Sequence, residues 1–206
     1  PLTSVTTKDV QALCTRGIFL QKGSILMEGT AAEAVSTYLR LIENMTQQGL
    51  AERADRDGAG LMRLVIAAIT NPNDPQSKLL STGGPARFEF HLDHLPPGMI
   101  LEYVDFAIYD FQGRAIAYFN SADRGPQDAV DPALETRVVC EVDELVLLPG
   151  RYRINVGIKG NGDMQDHIEG AAFFDVEEGN IRGRPVVARS QRLGNVILSH
   201  RWGLPI

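Results

Sequence analysis

Two hydrophobic rhythms divide the chain. Up to Ile42 apolar residues recur three and four apart around one short alternating hairpin, and from Leu61 onward they recur two apart. Val10, Leu13 and Cys14 hold helical spacing and lead into a strand, GIFL, a QKG turn and a second strand, SILMEG. A helix is predicted to open at Thr30, which can cap it, with Glu33 three positions on as the capping-box partner. Its apolar set, Ala31, Ala34, Val35, Tyr38, Leu39 and Ile42, predicts one buried face. The polar, glycine-bearing stretch NMTQQGLAERADRDGAG then reads as the end of that helix and a linker. The expected division is 1–43, 44–60 and 61–206.

In the last of these, alternation is the rule. ARFEFHLDHL sets Phe88, Phe90 and Leu92 against Arg87, Glu89, His91 and Asp93. EYVDFAIYDF sets Val104, Phe106 and Ile108 against Tyr103, Asp105 and Tyr109, and RYRINVGIK sets Tyr152, Ile154, Val156 and Ile158 against Arg153, Asn155 and Lys159. Each is a strand with one buried and one wet face. Further strands are expected at 62–70, 114–119, 134–143, 171–177 and 195–202, separated by NPNDP, LPPG, FQGR, LLPGR and GNGD. Short strands punctuated in this way predict a mainly β chain, an immunoglobulin-like antiparallel β-sandwich preceded by a hairpin and helix. LLPGRYRINVGI supports that choice, because a tyrosine entering an alternating strand can close a corner through its hydroxyl.

Composition narrows the partners. Hydrophobic residues make up 44% of the 206, enough for a real core, and the net charge of -6 gives no basic surface for phosphate neutralisation, which excludes a dedicated nucleic-acid binder. The longest apolar run, LVIAAI, is strand-sized, so neither membrane insertion nor a signal peptide is expected. Pro1 in place of Met reads as the start of an excised segment. Cys14 and Cys140 lack any pairing pattern and read as two reduced, buried thiols.

The first part resembles the C-terminal tail of an ABC-transporter nucleotide-binding domain through Leu13, Cys14, Arg16, Ile18, Leu20, Gly23, Ile25 and Gly29 and the helix with Tyr38. The second resembles the carbohydrate-binding C-terminal domain of Wzt-type ATPases of polysaccharide export. IYDFQGRAIAYFNS, LLPGRYRINVGI and GNVILSHRW carry that match. The order of the two parts is more specific than either alone. The resemblance implies non-catalytic recognition of finished O-antigen polysaccharide, often through a modified non-reducing end. It also implies a cytoplasmic location at the inner face of the bacterial inner membrane, a membrane-spanning transporter partner, and homodimerisation with exchange of a terminal strand as one route. ATP and magnesium belong to the full-length parent. The chain has no GxxxxGK[ST] loop and no aspartate-bearing strand for magnesium, and Val5 follows Ser4 where the family has its switch histidine, so no cofactor and no ATP hydrolysis are expected here. A purely structural dimerisation module is the alternative; a small glycoside-processing enzyme is a third reading.

A glycan site needs exposed aromatic rings against sugar C–H faces and planar polar groups matched to hydroxyls. Placing strand 101–110 beside strand 150–158 brings together Tyr103, Asp105, Tyr109, Arg151, Arg153, Asn155 and Lys159 as candidate glycan-binding residues, the plain alternative being an ordinary solvated sheet face. Tyr118 and Asn120 are weaker candidates, since Tyr118 shares parity with Ile116. The face with Arg87, Glu89, His91, Asp93, Arg137 and Glu141 lacks aromatics. His91 and His94, three apart in a strand, point oppositely and cannot share a metal. Asp163, Asp166 and His167 could hold a cation or touch a sugar, but without calcium-loop spacing they are read as a solvated loop. No nucleophile, base and orienter form a set, so no catalytic residue and no metal ligand are assigned. Five arginines after residue 180, Arg182, Arg184, Arg189, Arg192 and Arg201, read as a solvated terminal segment, as a dock for an acidic neighbour, or as bidentate contacts for an anionic glycan cap, and Trp202 reads as core.

Overall fold

A computed structural model of the chain describes residues 13–21, 23–45, 49–74, 79–187 and 194–203, without the side chains of 21 and 39–45, so Val10, Leu39 and Ile42 fall outside the described side chains. Strands β1 (Arg16–Gln21) and β2 (Ser24–Thr30) form an antiparallel hairpin, and helix α1 (Ala31–Met45) follows at once. The helix starts as the capping box requires: the Glu33 amide donates to Thr30 Oγ1 at 3.2 Å, and the Thr30 amide donates to the Glu33 carboxylate at 2.9 Å. Those bonds satisfy donors that the first helical turn leaves without intrahelical acceptors. The Thr30 amide, and then its hydroxyl, hold the Glu33 carboxyl below the ordinary range. Ala31, Ala34 and Val35 are buried, and α1 packs on β1. Gly17 permits the close approach, because a Cβ there would stand 2.6 Å from that of Ala34. Cys14, expected to be buried, is exposed.

The alternating region folds into two sheets. The larger has the order β4 (Leu79–Ser81), β10 (Asp163–Glu177), β9 (Gly150–Gly160), β6 (Leu101–Asp110), β7 (Ala115–Asn120), antiparallel except for β4 against β10. The smaller has the order β3 (Leu64–Thr70), β5 (Ala86–Leu92), β8 (Arg137–Val142). A small hairpin, β11 (Gly179–Ile181) and β12 (Arg184–Val186), follows β10. Period-two apolar residues from both sheets meet in the middle, so the fold is an antiparallel β-sandwich. Phe106 stands at its centre, its ring 4.9 Å from Phe88, 5.1 Å from Phe90 and 4.6 Å from Phe119, within the spacing at which aromatic pairs attract.

The corner tyrosine is in place. Tyr152 is buried against Phe174, and its hydroxyl donates to the Leu148 carbonyl at 2.7 Å. Burial, with Asp110 nearby, pushes that hydroxyl up to about 12. Tyr152→Phe should lower unfolding free energy by about 1 kcal/mol in a denaturant titration, the net worth of one such bond. A loss of less than about 0.3 kcal/mol would show that the corner does not hold the strand.

Several elements differ from expectation for identifiable reasons. Asp163, Asp166 and His167 do not form a solvated loop: β10 starts at Asp163, after a tight turn in which Asn161 and Gly162 both take positive φ. That is the two-residue Asn-Gly hairpin turn, and it lets the strand begin at once. Residues 49–60 carry more structure than a linker needs. Leu50 is buried, and the amides of Asp57, Ala59 and Gly60 donate to the carbonyls of His167, Met164 and Gln165 at 3.1, 3.0 and 2.8 Å. This strap runs along the β10 edge. At the other end, the expected strand 195–202 is reduced to a single bridge, Val196 to Leu147, and Trp202, read as core, is 72% exposed with its ring edge-on to His200. Arg189 and Arg192 lie outside the described residues. Arg182 approaches Glu144 at 3.7 Å, and Arg184 donates to the His200 carbonyl at 3.1 Å.

Candidate functional site

The strand order sets β6 beside β9, and the register decides which side chains share the outer face of the larger sheet. Tyr103 pairs with Lys159, Asp105 with Gly157, Ala107 with Asn155 and Tyr109 with Arg153. Opposed residues of an antiparallel pair point the same way, so the seven candidates read from the sequence share one face. They do not form one cluster. Tyr103, Asp105 and Lys159 lie at one end; Tyr109, Arg153 and Asn155 lie at the middle; Arg151 stands apart, over the Phe173 ring at 5.7 Å and 3.9 Å from Asp175.

The middle cluster is covered. Arg153 is 5% exposed and Asn155 8%. The Arg153 guanidinium lies over the Tyr109 ring at 4.5 Å and donates to Asn155 Oδ1, which also accepts the Gly170 amide at 2.9 Å. β10 bulges between Ile168 and Ala172 at this point, and the bulge is held from two more sides. Arg53 of the strap donates to the Gly170 and Glu169 carbonyls at 2.9 and 2.7 Å, and Tyr38 of α1 donates its hydroxyl to the Glu169 carboxylate. Burial, and then that bond, push the Tyr38 hydroxyl far above the ordinary tyrosine range.

The end cluster is open. The Lys159 ammonium sits 5.8 Å from the Tyr103 ring centre and 3.6 Å from Glu102. Asp105 Oδ2 accepts the Tyr118 hydroxyl at 2.7 Å, and Asn120 Nδ2 donates to that same hydroxyl at 3.1 Å. The bond to Asp105, with some burial, raises the Tyr118 hydroxyl pKa. Tyr118 is 61% exposed, and it faces outward because β7 slips its register between Ala117 and Ala115, leaving Ile116 as the extra residue. A bulge reverses parity, so Ile116 reaches the core although Tyr118 does not. Gly157 and His167 complete the row, since Asn120, Asp105, Gly157 and His167 are successive cross-strand partners on four strands. Reading the sequence misses Gly157 and puts His167 in a loop. The Asn161-Gly162 turn signal could have placed His167 on a strand, and Gly157 at an outward position of an otherwise bulky strand could have marked a close approach.

The outer face of the smaller sheet answers its own charges. Arg87 pairs with Glu141 at 2.6 Å and with Glu89 at 3.4 Å, and Glu89 also meets His91 and Arg137. Burial acts to raise the Glu89 carboxyl, but His91 and Arg87 outweigh it and hold the group low. His94 falls beyond β5 and pairs with Asp93 at 3.0 Å. A polar cavity of about 380 Å³ opens between the strap and β10, lined by Arg56, Asp57, Arg63 and Gln165 among others, with no aromatic ring. Among the described residues, no group of three His, Cys, Asp or Glu could hold a metal ion, and no helix is long and apolar enough to cross a membrane.

These features can be set beside known proteins. No curated protein sequence matches the chain. Among solved structures, a crystal structure of the C-terminal domain of Wzt is similar over 76% of this chain and 94% of its own length, at 16% identity and a TM-score of 0.48. The family model described as the Wzt C-terminal domain matches residues 53–188, from the buried Arg53 of the strap through both sheets to just beyond β12. That match spans more than half of the chain, which therefore belongs to the Wzt C-terminal domain family.

Proposed function

We propose that the chain is a non-catalytic glycan-recognition module of a polysaccharide-export ABC transporter, and that it binds O-antigen polysaccharide on the open end of the larger sheet's outer face. Family membership supplies the class of ligand, and one observation supports the place. Tyr103, Asp105, Tyr118, Asn120 and His167, Tyr118 exposed and the others half-buried, line one trough of rings and planar polar groups on the same face, whereas the opposite outer face is closed by its own ion pairs. Sugar rings stack on the tyrosines, and hydroxyls meet the polar groups. Arg153 and Asn155 lie beside it on the same face, where they hold the β10 bulge. In the parent ATP-binding subunit the module sits on the cytoplasmic side and needs no cofactor of its own. The hairpin β1–β2, with Ile18, Leu20, Ile25 and Leu26 exposed, packs there against the rest of the ATPase domain.

Isothermal titration with the purified O polysaccharide of the encoding bacterium tests this reading. Saturable binding is expected, weakened about tenfold, or ~1.4 kcal/mol, by Tyr103→Ala. Absence of heat with that polysaccharide sinks it. A second reading, a dimerisation module, has its own support: Val196, Leu198 and Trp202 are exposed apolar side chains on a terminal segment that joins the sheets, among the described residues, through one β-bridge in place of a strand. Light scattering of the chain and of Trp202→Ser measures that role independently of the glycan.

A further inference from the structure

Resting on the glycan reading, we infer that the trough takes an uncharged sugar, one that donates neighbouring hydroxyls to Asp105, and that it rejects an anionic residue at this subsite. The charge inventory of the face carries the inference. Asp105 has no cation paired with it among the described residues, and its Oδ2 already accepts from Tyr118. The cations of the face are committed elsewhere: Lys159 to Glu102 at 3.6 Å, Arg151 to Asp175 at 3.9 Å, and Arg153, buried, to Asn155 and the Tyr109 ring. A carboxylate accepts only, and its oxygens offer about four lone-pair positions. A ligand that displaces water from Asp105 must therefore bring donors, or leave a charged acceptor unsatisfied. A vicinal diol brings two. A uronate or phosphate brings none, and it meets the Asp105 charge with its own.

The carboxylate is also fixed in position. It lies over the Gly157 backbone, so that a Cβ at residue 157 would collide with Oδ1, and the three nearest atoms such a Cβ would meet all belong to the Asp105 side chain. Gly157→Ala therefore moves Asp105 without changing its charge, and Asp105→Asn removes the charge without moving the group. Across the glycine, His167 offers a ring nitrogen to the same sugar from the next strand.

The test is titration of the chain with the de-lipidated O polysaccharide of the encoding bacterium, at 50 and 500 mM sodium chloride, together with thermal unfolding of each variant. The inference expects wild-type affinity to agree within about twofold between the two salts, because no ion pair forms with the ligand. It expects Asp105→Asn and Gly157→Ala each to bind at least about tenfold more weakly while unfolding within a few degrees of wild type. Unchanged or tighter binding by Asp105→Asn, unchanged binding by Gly157→Ala, or wild-type affinity that falls with salt overturns it and leaves glycan recognition standing. A wild-type chain that does not bind overturns the glycan reading itself, and this inference with it.

Discussion

Arg56→Ala should cost ~3–5 kcal/mol of unfolding free energy, the range for stranding one partner of a buried ion pair. Arg56 Nη1 donates to Asp166 at 2.9 Å, and the pair is almost wholly enclosed, Asp166 being 2% exposed. Arg56 also donates to the Arg53 carbonyl at 3.1 Å and to the Leu50 carbonyl. Truncation removes all of these at once. Among the described residues Asp166 would keep one hydrogen-bond donor, the Leu64 amide at 2.8 Å. Burial already pushes its carboxyl up, with the Leu64 amide and then Arg56 pulling it back, so loss of the arginine leaves burial opposed by less. A domain of this size has about 5–15 kcal/mol to lose, so the variant should unfold at a much lower denaturant midpoint. A loss under ~1 kcal/mol would show that the strap is not fastened by this pair. Arg87→Ala on the smaller sheet is the control: its partners are partly exposed and screened, and the expected loss is below ~1 kcal/mol.

The same pair shows where sequence reading stops. Strands β5 and β6 are legible because alternation is a local signal, and burial of one face reproduces it residue by residue; β9 carries the same alternation in sequence, but it is buried on both faces from Tyr152 to Ile158. The outward set from Tyr103 to Lys159 is legible for the same reason, once β6 is placed beside β9. The strap is not, because RADRDG is polar and would be read as solvated wherever it occurred. Its burial depends on Asp166, more than a hundred residues away, and on the unpaired edge of β10. Tyr118 escapes for a different reason: a register slip of one residue at Ile116 changes its face, and nothing in AIAYFN announces it. Arg153 and Asn155 have the right parity but the wrong exposure. Parity is a property of their own strand, and exposure is set by Tyr38 and Arg53, which reach the β10 bulge from outside the sheet.

Asn155→Ala should therefore behave as a structural lesion, costing about 2–4 kcal/mol. Its Oδ1 is the acceptor for both the Gly170 amide and the Arg153 guanidinium. Among the described residues Arg153 Nε already lacks a hydrogen-bond partner, so losing Asn155 leaves a buried cation with the Tyr109 ring as its remaining contact there. A buried charged donor without an acceptor costs more than a neutral one. Asn155→Asp keeps an acceptor and opposes the Arg153 charge, and it should recover most of the loss in the same urea titration. A destabilisation under ~1 kcal/mol for Asn155→Ala would mean that the bulge is held by α1 and the strap alone. The variant also separates support from contact at the site. Titrated with the O polysaccharide well below its unfolding midpoint, Asn155→Ala should bind almost as wild type does, because the sugar rests on Tyr103, Asp105 and Tyr118. A tenfold loss of affinity in that folded variant would instead place the ligand over the middle of the sheet, where Tyr38 now stands against Glu169, and glycan and helix would then compete for one surface.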